Sequence, residues 1–348
     1  QEKMYTLEYN IYYALIESTE AFVPHIQENA KILAQIDCYV SFATQAKKHD
    51  YAQPKMNAND VIDIQASRHP VIEQYLPIAK KYIPNDVYLD LATQQILLIT
   101  GPNMAGKSAF LRQVALAVLM AQIGSFVPAQ KATIGIVDKI FTRVGAHDNL
   151  AMGESTFMVE MQEMASILHN LSNKSLVIVD ELGRGTSTSD GLSLAQATLE
   201  YLHHTARHKP KTLFATHYHE LSELETYLSR IKNFHVAVKQ IQGEVLFLHQ
   251  LKKGASPNSF GIQVAKMAGM PHSLIGRAQA ILAKLASHEQ TDKIVIEAPL
   301  LPTPIHEKNR EIDVLKKALD QIDVNSLSPV EALLKLEELK FYATKATK

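Results

Sequence analysis

One octapeptide constrains the fold of this chain more than any other feature. Residues 101–108 read Gly-Pro-Asn-Met-Ala-Gly-Lys-Ser and follow the apolar run Ile96–Ile99. A glycine-containing turn with the spacing G-x-x-x-x-G-K-S, placed between a buried strand and a helix, predicts a phosphate-binding loop on an α/β sheet. The alternative is a glycine-containing turn that binds no ligand. It is disfavoured because the buried strand, the loop motif and the helix occur together in the expected order.

Each residue type in this loop has a physical role. Gly101 and Gly106 let the backbone wrap around phosphate oxygens, and the following helix N-terminus offers unpaired N–H groups. Lys107 is expected to reach the β- and γ-phosphates, and the Ser108 hydroxyl is expected to bind Mg²⁺. The predicted nucleotide-binding residues of the loop are Gly101, Pro102, Asn103, Met104, Ala105, Gly106, Lys107, Ser108 and Ala109.

Two later strands carry polar residues to the same sheet edge. Asp180 and Glu181 follow the apolar run Leu176–Val179, and His217 comes shortly after Thr212–Ala215. Because ligands bind at the carboxyl ends of parallel strands, we expect Asp180 to bind Mg²⁺ and Glu181 to act as general base toward water. His217 could hydrogen-bond a γ-phosphate or that water. The predicted catalytic residues are Lys107, Glu181 and His217.

Other ligands are less well supported. Guanine recognition would need an Asn-Lys-x-Asp segment, and Asn173-Lys174 has no such aspartate, so adenine is favoured. A histidine-rich region suggests a second metal site, but no carboxylate completes a ligand set there. That region comprises His203, His204, His208 and His219.

The chain as a whole is predicted to be an α/β protein with a mostly parallel sheet flanked by helices. Residues 1–50 have apolar residues at helical spacing and predict two helices. From residue 96 onward, apolar strands alternate with amphipathic helices, which is typical of β-α-β crossovers. We expect strands near 139–144, 176–179, 212–215, 234–238 and 244–249, and helices near 107–123, 156–170, 190–205, 218–228, 259–268 and 272–287.

Composition narrows the possible functions. The chain has 348 residues, with 35 Lys and Arg against 36 Asp and Glu, so its formal net charge of -1 provides no global attraction for DNA. Cys38 is the only cysteine, which excludes an intrachain disulfide, and we expect its side chain to pack as a small apolar group. No membrane span or signal peptide is visible, which suggests a cytoplasmic protein. Because it begins with Gln1 in a helical pattern, the sequence reads as part of a longer protein.

Several further segments occur in one order with the phosphate loop. They are Gly124–Ala129, Arg143–Ala146, Ser155–Met161, Asp180–Thr188 and Ala215–Tyr218. Together they resemble the ATPase domain of the MutS family of DNA mismatch recognition proteins, an ABC-type ATPase fold, over residues 1–287, with a weaker echo in 327–340. The resemblance implies a helical lever or core end at 1–55, the ATPase at 56–270, a dimerisation helix at 271–287, a linker at 288–310 and a helical tail at 311–348.

The resemblance also implies composite ATP and Mg²⁺ sites in a homodimer. Ser155 and Thr156 would contact the γ-phosphate held by the other subunit, and Gly183–Thr188 would run along the seam or simply cap the next helix. Asn103 would contact the γ-phosphate or organise the opposing signature segment. Tyr82 and His249 would sandwich adenine.

Two positions depart from the family pattern. Ala105 replaces a frequent glycine, and Ala109 stands where threonine is common, which removes a hydroxyl available to the α-phosphate. Ser67-Arg68-His69-Pro70 matches the family pattern, but its residue types suggest no chemistry of their own.

The leading hypothesis is therefore an ATP-hydrolysing dimerisation module whose nucleotide state acts on DNA-binding parts outside this sequence. The expected partners are a second copy, mismatched duplex DNA in a longer protein only, a MutL-type matchmaker and a sliding clamp, in a nucleoid-associated cytoplasmic setting. Two alternatives remain. One is another ABC-type ATPase, such as a chromosome-organising or transporter subunit, although Gly153–Thr156 replaces the Leu-Ser-Gly-Gly-Gln expected of a transporter. The other is a non-catalytic nucleotide-gated module.

Overall fold

The computed structural model of the chain describes residues 1–77, 80–102, 105–145, 155–204, 208–241, 244–255, 260–288 and 335–336. The chain divides into two units, Gln1–Ile296 and Glu297–Lys348. Within the second unit only residues 335 and 336 are described, so the predicted tail and most of the predicted linker lie outside the described residues. The proposed domain boundaries within the chain stay predictions.

The described elements of the first unit follow one another in the order expected for an α/β protein. They are α1 (Glu2–Glu20), α2 (Val23–His49), β1 (Lys55–Asn57), β2 (Ile62–Ser67), α3 (Ile72–Tyr75), β3 (Asn85–Leu89), β4 (Ile96–Thr100), α4 (Lys107–Gln122), β5 (Lys131–Gly135), β6 (Ile140–Val144), α5 (Thr156–His169), β7 (Leu176–Asp180), α6 (Thr188–His204), β8 (Lys211–Thr216), α7 (Leu224–Tyr227), β9 (Ile231–Ile241), β10 (Glu244–Lys253), α8 (Gly261–Met267) and α9 (His272–His288).

The main sheet has six strands in the order β10-β9-β4-β8-β7-β6. All neighbours are parallel except β9 and β10, which form an antiparallel hairpin. β4, β7 and β8 are buried along their whole length, as expected for strands covered by helices on both faces. The predicted α/β fold with a mostly parallel sheet is confirmed.

A second sheet of four strands, in the order β1-β5-β2-β3, was not predicted as a separate layer. Its buried residues Ile62, Val87 and Ile134 share one apolar cluster with Leu111 and Val114 of α4. Helix α4, which directly follows the phosphate loop, is thus enclosed between the two sheets. This packing fixes the loop against the rest of the unit.

Two local expectations need correction. Residues 218–228 do not form one helix: a 3₁₀ turn at Glu220–Glu223 precedes the short helix α7. Cys38 does not pack as an apolar core residue but lies exposed on α2. The two long N-terminal helices exist as predicted, yet only Ala46 of their residues is fully buried. Among the described residues, none of the helices has both the length and the apolar character needed to cross a bilayer.

Candidate functional site

The phosphate loop lies at the carboxyl end of β4, between that strand and α4. Gly101 and Gly106 have φ values of 143° and 103°, in the region that glycine adopts readily and other residues avoid. Lys107 is 4% exposed, and its Nζ donates to the carbonyl oxygens of Gly101 at 2.6 Å and Pro102 at 3.2 Å. The loop therefore curls around its own lysine. Asn103 and Met104, which were predicted to bind nucleotide, lie outside the described residues.

Asp180 closes the same edge from the end of β7. Its side chain is buried, and within the described part of the chain its Oδ1 has no hydrogen-bond partner. Burial raises the pKa of Asp180, while a hydrogen bond from Ser108 and the charges of Lys107 and Arg112 oppose that rise. A buried carboxylate oxygen without a partner, beside a hydroxyl, is the donor set that Mg²⁺ accepts, so Ser108 and Asp180 fit the predicted ion.

Glu181 follows on a strained backbone. Its φ is 53°, an uncommon value for a residue with a Cβ, and its N–H donates to the carbonyl oxygen of Ala215 at 2.9 Å. This geometry turns the carboxylate off the strand direction. One oxygen lies 3.7 Å from Nζ of Lys107, and the other lies 2.8 Å from Nη1 of Arg184. The predicted base thus faces the lysine of the phosphate loop.

His217 directly follows β8, the strand that lies between β4 and β7 in the sheet. With Arg184, Gly101, Pro102, His219 and Val264, it lines a cavity of about 440 Å³ next to the loop. Its pKa is lowered, mainly because surrounding protein removes part of its water shell, with Glu181 acting in the opposite direction. A neutral imidazole can both donate and accept a hydrogen bond at neutral pH.

A second cavity, here called the base cavity, opens on the other side of the loop and holds about 490 Å³. Its walls are mostly apolar, and they include both residues predicted to sandwich adenine. Tyr82 donates its hydroxyl to Gln113 Oε1 at 2.7 Å, and burial raises the pKa of Tyr82 to about 12. The lining also includes Ile72, Leu76, Ala105, Gly106, Ala109 and His249.

His249 is held at the base cavity by an irregularity in the β9–β10 hairpin. The pairing register shifts between Phe247 and Leu251, and His249 has a φ of 51°. Asn85 fixes this bulge, since its amide donates to the His249 carbonyl at 3.0 Å and accepts from the Leu251 N–H at 2.6 Å. The His249 Nδ1 lies 3.0 Å from the Ala105 carbonyl oxygen, which ties the hairpin to the phosphate loop.

Ser155 and Thr156 begin helix α5, and both are exposed. Thr156 lines a polar cleft of about 480 Å³ together with Ser108, Asp180 and Glu181 of the same chain. A helix N-terminus offers unpaired N–H groups and a positive dipole end to anions. The start of α5 therefore presents an anion-binding end to this cleft, where the phosphate could be held by its own chain or by a second copy.

Sequence reasoning missed an ion-pair network in the wall of that cleft, which Arg143 and Glu160 both line. Arg143, at 4% exposure, contacts Glu160 at 3.1 Å and Glu163 at 3.2 Å. Glu160 also accepts a hydrogen bond from the Gly183 N–H at 3.3 Å. The network joins α5 to the loop after Glu181. The available signal was Arg143 itself, the next-to-last residue of strand β6, because a buried charge needs a charged or hydrogen-bonding partner.

The loop from Gly183 to Thr188 caps helix α6, as one of the two interpretations predicted. Ser187 accepts the Asp190 N–H at 3.2 Å and donates to the Asp190 carboxylate at 2.8 Å. This satisfies a free N–H group in the first turn of the helix. The seam role of the loop stays a prediction.

The histidine-rich region does not form a metal site among the described residues, which contain no group of three or more His, Cys, Asp and Glu side chains arranged to hold an ion. His203 instead accepts a hydrogen bond from the Arg230 N–H at 3.4 Å, and Arg230 donates back to the His203 carbonyl.

Comparison with known proteins identifies this arrangement. The family model for MutS domain V matches residues 97–286, which cover β4, the phosphate loop and every strand of the six-stranded sheet. The chain belongs to the MutS family. DNA mismatch repair protein MutS of Bacteroides fragilis is 53% identical over 350 residues, and its counterpart in Cytophaga hutchinsonii is 58% identical over 321 residues. These alignments cover 98% and 90% of this chain.

A more distant MutS, from Porphyromonas gingivalis, is 47% identical over 371 residues and 98% of this chain. The chain spans 40%, 38% and 41% of the length of these three relatives, in the order given. Membership of the MutS family favours the leading hypothesis over a transporter or chromosome-organising ATPase.

Proposed function

We propose that the chain is the ATP-binding and ATP-hydrolysing dimerisation module of a MutS-type mismatch repair protein. One observation carries the proposal: at the carboxyl edge of a parallel sheet, a phosphate-loop lysine lies 3.7 Å from a carboxylate on the next residue after a buried aspartate. The base cavity opens beside the same loop. The base cavity can therefore receive the base of a nucleotide while the polar cleft at Ser108, Asp180 and Glu181 receives its phosphates.

The residues divide the chemistry among them. Lys107 releases the carbonyl oxygens of its own loop to bind phosphate oxygens. Burial lowers the pKa of Lys107, whereas the nearby carboxylates of Glu181 and Asp180 raise it and so favour the charged ammonium. Mg²⁺ bound at Ser108 and Asp180 supplies positive charge to the phosphates. Glu181 accepts a proton from water, and His217 orients that water or the γ-phosphate by hydrogen bonding. Tyr82 and His249 enclose the adenine ring through stacking contacts.

A second copy of the chain completes the proposed site. Ser155 and Thr156 are exposed and begin a helix of 14 residues, so their N–H groups are accessible to a phosphate held by another subunit. Closure around ATP would hold the two ATPase modules together, and hydrolysis would remove that contact. Mismatched DNA, a MutL-type matchmaker and a sliding clamp are proposed as partners of the longer cytoplasmic protein, since this chain has no net positive charge.

Substitution of the proposed general base tests the hydrolytic function. We expect Glu181→Gln to lower kcat for ATP by about 10²- to 10⁴-fold while ATP still binds, because the amide cannot accept the proton. Glu223→Gln makes the same chemical change at an exposed site in the 3₁₀ turn and serves as the matched control.

Steady-state phosphate release and equilibrium ATP binding are measured for all three proteins. Turnover that survives Glu181→Gln would contradict the assignment of the base. A wild-type chain that binds ATP but never hydrolyses it, at any protein concentration, would favour the non-catalytic nucleotide-gated module instead.

A further inference from the structure

The segment Ser67-Arg68-His69-Pro70 has no role in the proposed hydrolysis, yet it lies between two parts of the unit that differ in function. On one side is the C-terminal end of the long helix α2. On the other is the short helix α3, whose Ile72 lines the base cavity with the following Leu76. The hydrogen bonds of this segment show how the two are joined.

Arg68 holds the end of α2. The helix ends at His49, and Asp50 then adopts the left-handed conformation with a φ of 53°. The Arg68 Nη2 donates to the carbonyl oxygens of His49 and Asp50, each at 3.0 Å. The last carbonyls of a helix have no partners within it and carry its negative dipole end, so a guanidinium is well suited to this position.

The same guanidinium holds the wall of the base cavity. The Arg68 Nε donates to Glu73 Oε2 at 2.7 Å, and only 22% of the Arg68 side chain and 14% of the Glu73 side chain are exposed. Glu73 lies on α3, next to Ile72. One planar side chain thus bonds the end of α2 with one nitrogen and the cavity wall with another.

Three further hydrogen bonds make α3 a defined structural unit. The His69 Nδ1 accepts the N–H groups of Val71 and Ile72, both at 3.2 Å, and Gln74 donates to the Pro70 carbonyl at 2.8 Å. Burial lowers the pKa of His69, which keeps its Nδ1 available as an acceptor. The backbone from His69 to Gln74 is therefore internally bonded, and Glu73 is its polar connection to Arg68.

Tyr51 supplies a parallel connection immediately after α2. Its N–H donates to the Ala46 carbonyl at 3.0 Å, and its hydroxyl interacts with the side chains of Glu73 and Gln74. Asp50 therefore contacts Arg68, and Tyr51 contacts α3, the helix whose Ile72 lines the base cavity.

We propose that Arg68 is a positioning residue that couples occupancy of the base cavity to the C-terminal end of helix α2. The proposal rests on the proposed adenine binding in this cavity. A base packed against Ile72 and Leu76 restrains α3 and with it Glu73. Because Glu73 is bonded to Arg68, the Arg68 side chain is restrained in turn. Arg68 then stabilises its hydrogen bonds to the carbonyls at the end of α2. Phosphates alone bind at residues 101–108 and do not contact this wall, so α2 responds to the base.

Hydrogen exchange on the whole 348-residue chain tests the coupling. We compare MgATP with magnesium tripolyphosphate, which fills the phosphate loop but carries no base. In the wild type we expect ATP to slow exchange of the amides at Asp50 and Tyr51 by about fivefold or more, the lower range of measured site-to-site couplings, and tripolyphosphate to leave it nearly unchanged.

The variants separate coupling from folding. Arg68→Gln removes the guanidinium donor of the 2.7 Å contact and should abolish the ATP-specific protection, whereas Glu73→Gln removes the charge of the acceptor and should weaken it, while ATP still binds to both. Arg68→Lys should retain only part of it, because an ammonium on a flexible stem cannot reproduce the guanidinium fork. Lys31→Gln, which breaks an exposed ion pair with Glu28 on the same helix, is the matched control and should behave as wild type.

Equal protection by ATP and tripolyphosphate in the wild type overturns the coupling, as does ATP-specific protection that persists in both Arg68→Gln and Glu73→Gln. ATP binding is measured on the same samples by equilibrium dialysis. A wild-type chain that fails to bind ATP contradicts the proposed function itself, and the coupling falls with it, so the two failures are distinguishable.

Discussion

Glu181 shows how the backbone, as well as the side chain, determines what a residue can do. A φ of 53° costs a residue with a Cβ conformational energy, and such strain persists only where surrounding contacts impose it. Here the Glu181 N–H is bonded to the Ala215 carbonyl of the neighbouring strand. The turn directs the Glu181 carboxylate toward Lys107. A regular strand conformation at this residue would instead have continued along the strand axis.

His203 gives a prediction about pH at the residue scale. Burial, followed by the charges of Arg230, His204 and Lys209, lowers the pKa of His203 to about 4 from its usual 6.5. Because the folded state prefers the neutral ring, its contribution to stability is complete above pH 6.5 and declines as the pH falls toward 4. The full shift corresponds to about 3 kcal/mol.

We therefore expect the wild type to lose about 2 kcal/mol more free energy of unfolding than His203→Gln between about pH 7.5 and about pH 5. Urea unfolding at the two pH values measures this difference. His272→Gln, at an exposed position on α9, controls for the loss of any histidine. The same pH dependence in His203→Gln and His272→Gln would contradict the assignment.

At the scale of elements, contact between two glycines fixes the loop after Glu181. Gly191 lies in the second turn of α6, and a Cβ there would meet the Tyr218 hydroxyl at 2.1 Å and the Gly183 carbonyl oxygen at 2.4 Å. Tyr218 already donates to that carbonyl at 3.2 Å, so neither atom has room to move. Helix, loop and strand end therefore meet where no side chain fits.

Gly191→Ala is expected to destabilise the chain by about 1–3 kcal/mol through overpacking. The matched change Gly276→Ala in the exposed helix α9 meets nothing within 4 Å and should stabilise it by about 0.5–1 kcal/mol, because alanine favours helices. Thermal or urea unfolding of both variants measures the contrast. Equal stability of the two variants would disprove the packing argument.

Elements with strong local signals could be predicted from the sequence, and elements defined by distant partners could not. The buried strand Ile96–Thr100 and the helix after Lys107 follow from an apolar run and a loop motif that are contiguous in the chain. Strand β5, Lys131–Gly135, was missed because its pairing with β2 joins residues about 70 positions apart and its residue pattern is weak.

The site divides in the same way. The proximity of Lys107, Asp180 and Glu181 could be predicted because parallel strands bring their carboxyl ends to one edge. The contacts of Arg68, Arg143 and Asn85 could not, because each depends on partners that only the folded chain brings near. The Arg68 partners His49 and Asp50, for example, lie 19 and 18 residues away along the chain.

At the scale of the whole molecule, the long N-terminal helices meet the rest of the first unit at identifiable contacts. Among the described residues, α1 and α2 bury almost none of their apolar surface. The end of α2 contacts the rest of the unit through Ala46 and the Arg68 bonds, and the bridge between Ala52 and Val127 follows just after the helix. A joint of this kind can transmit a change without a large shared core.

We propose that two chains share each active site, and complementation between two inactive variants tests this sharing most directly. Lys107→Ala removes the phosphate-loop lysine, and the double change Ser155→Ala with Thr156→Ala removes the side chains at the start of α5. A mixed dimer has one site with an intact loop from one chain and an intact helix start from the other. Random mixing makes half of the dimers mixed, each with one of two sites working, so we predict recovery of about a quarter of wild-type turnover. Turnover that stays at the sum of the two separate variants would show that each site uses its own helix α5, and would contradict the shared-site account.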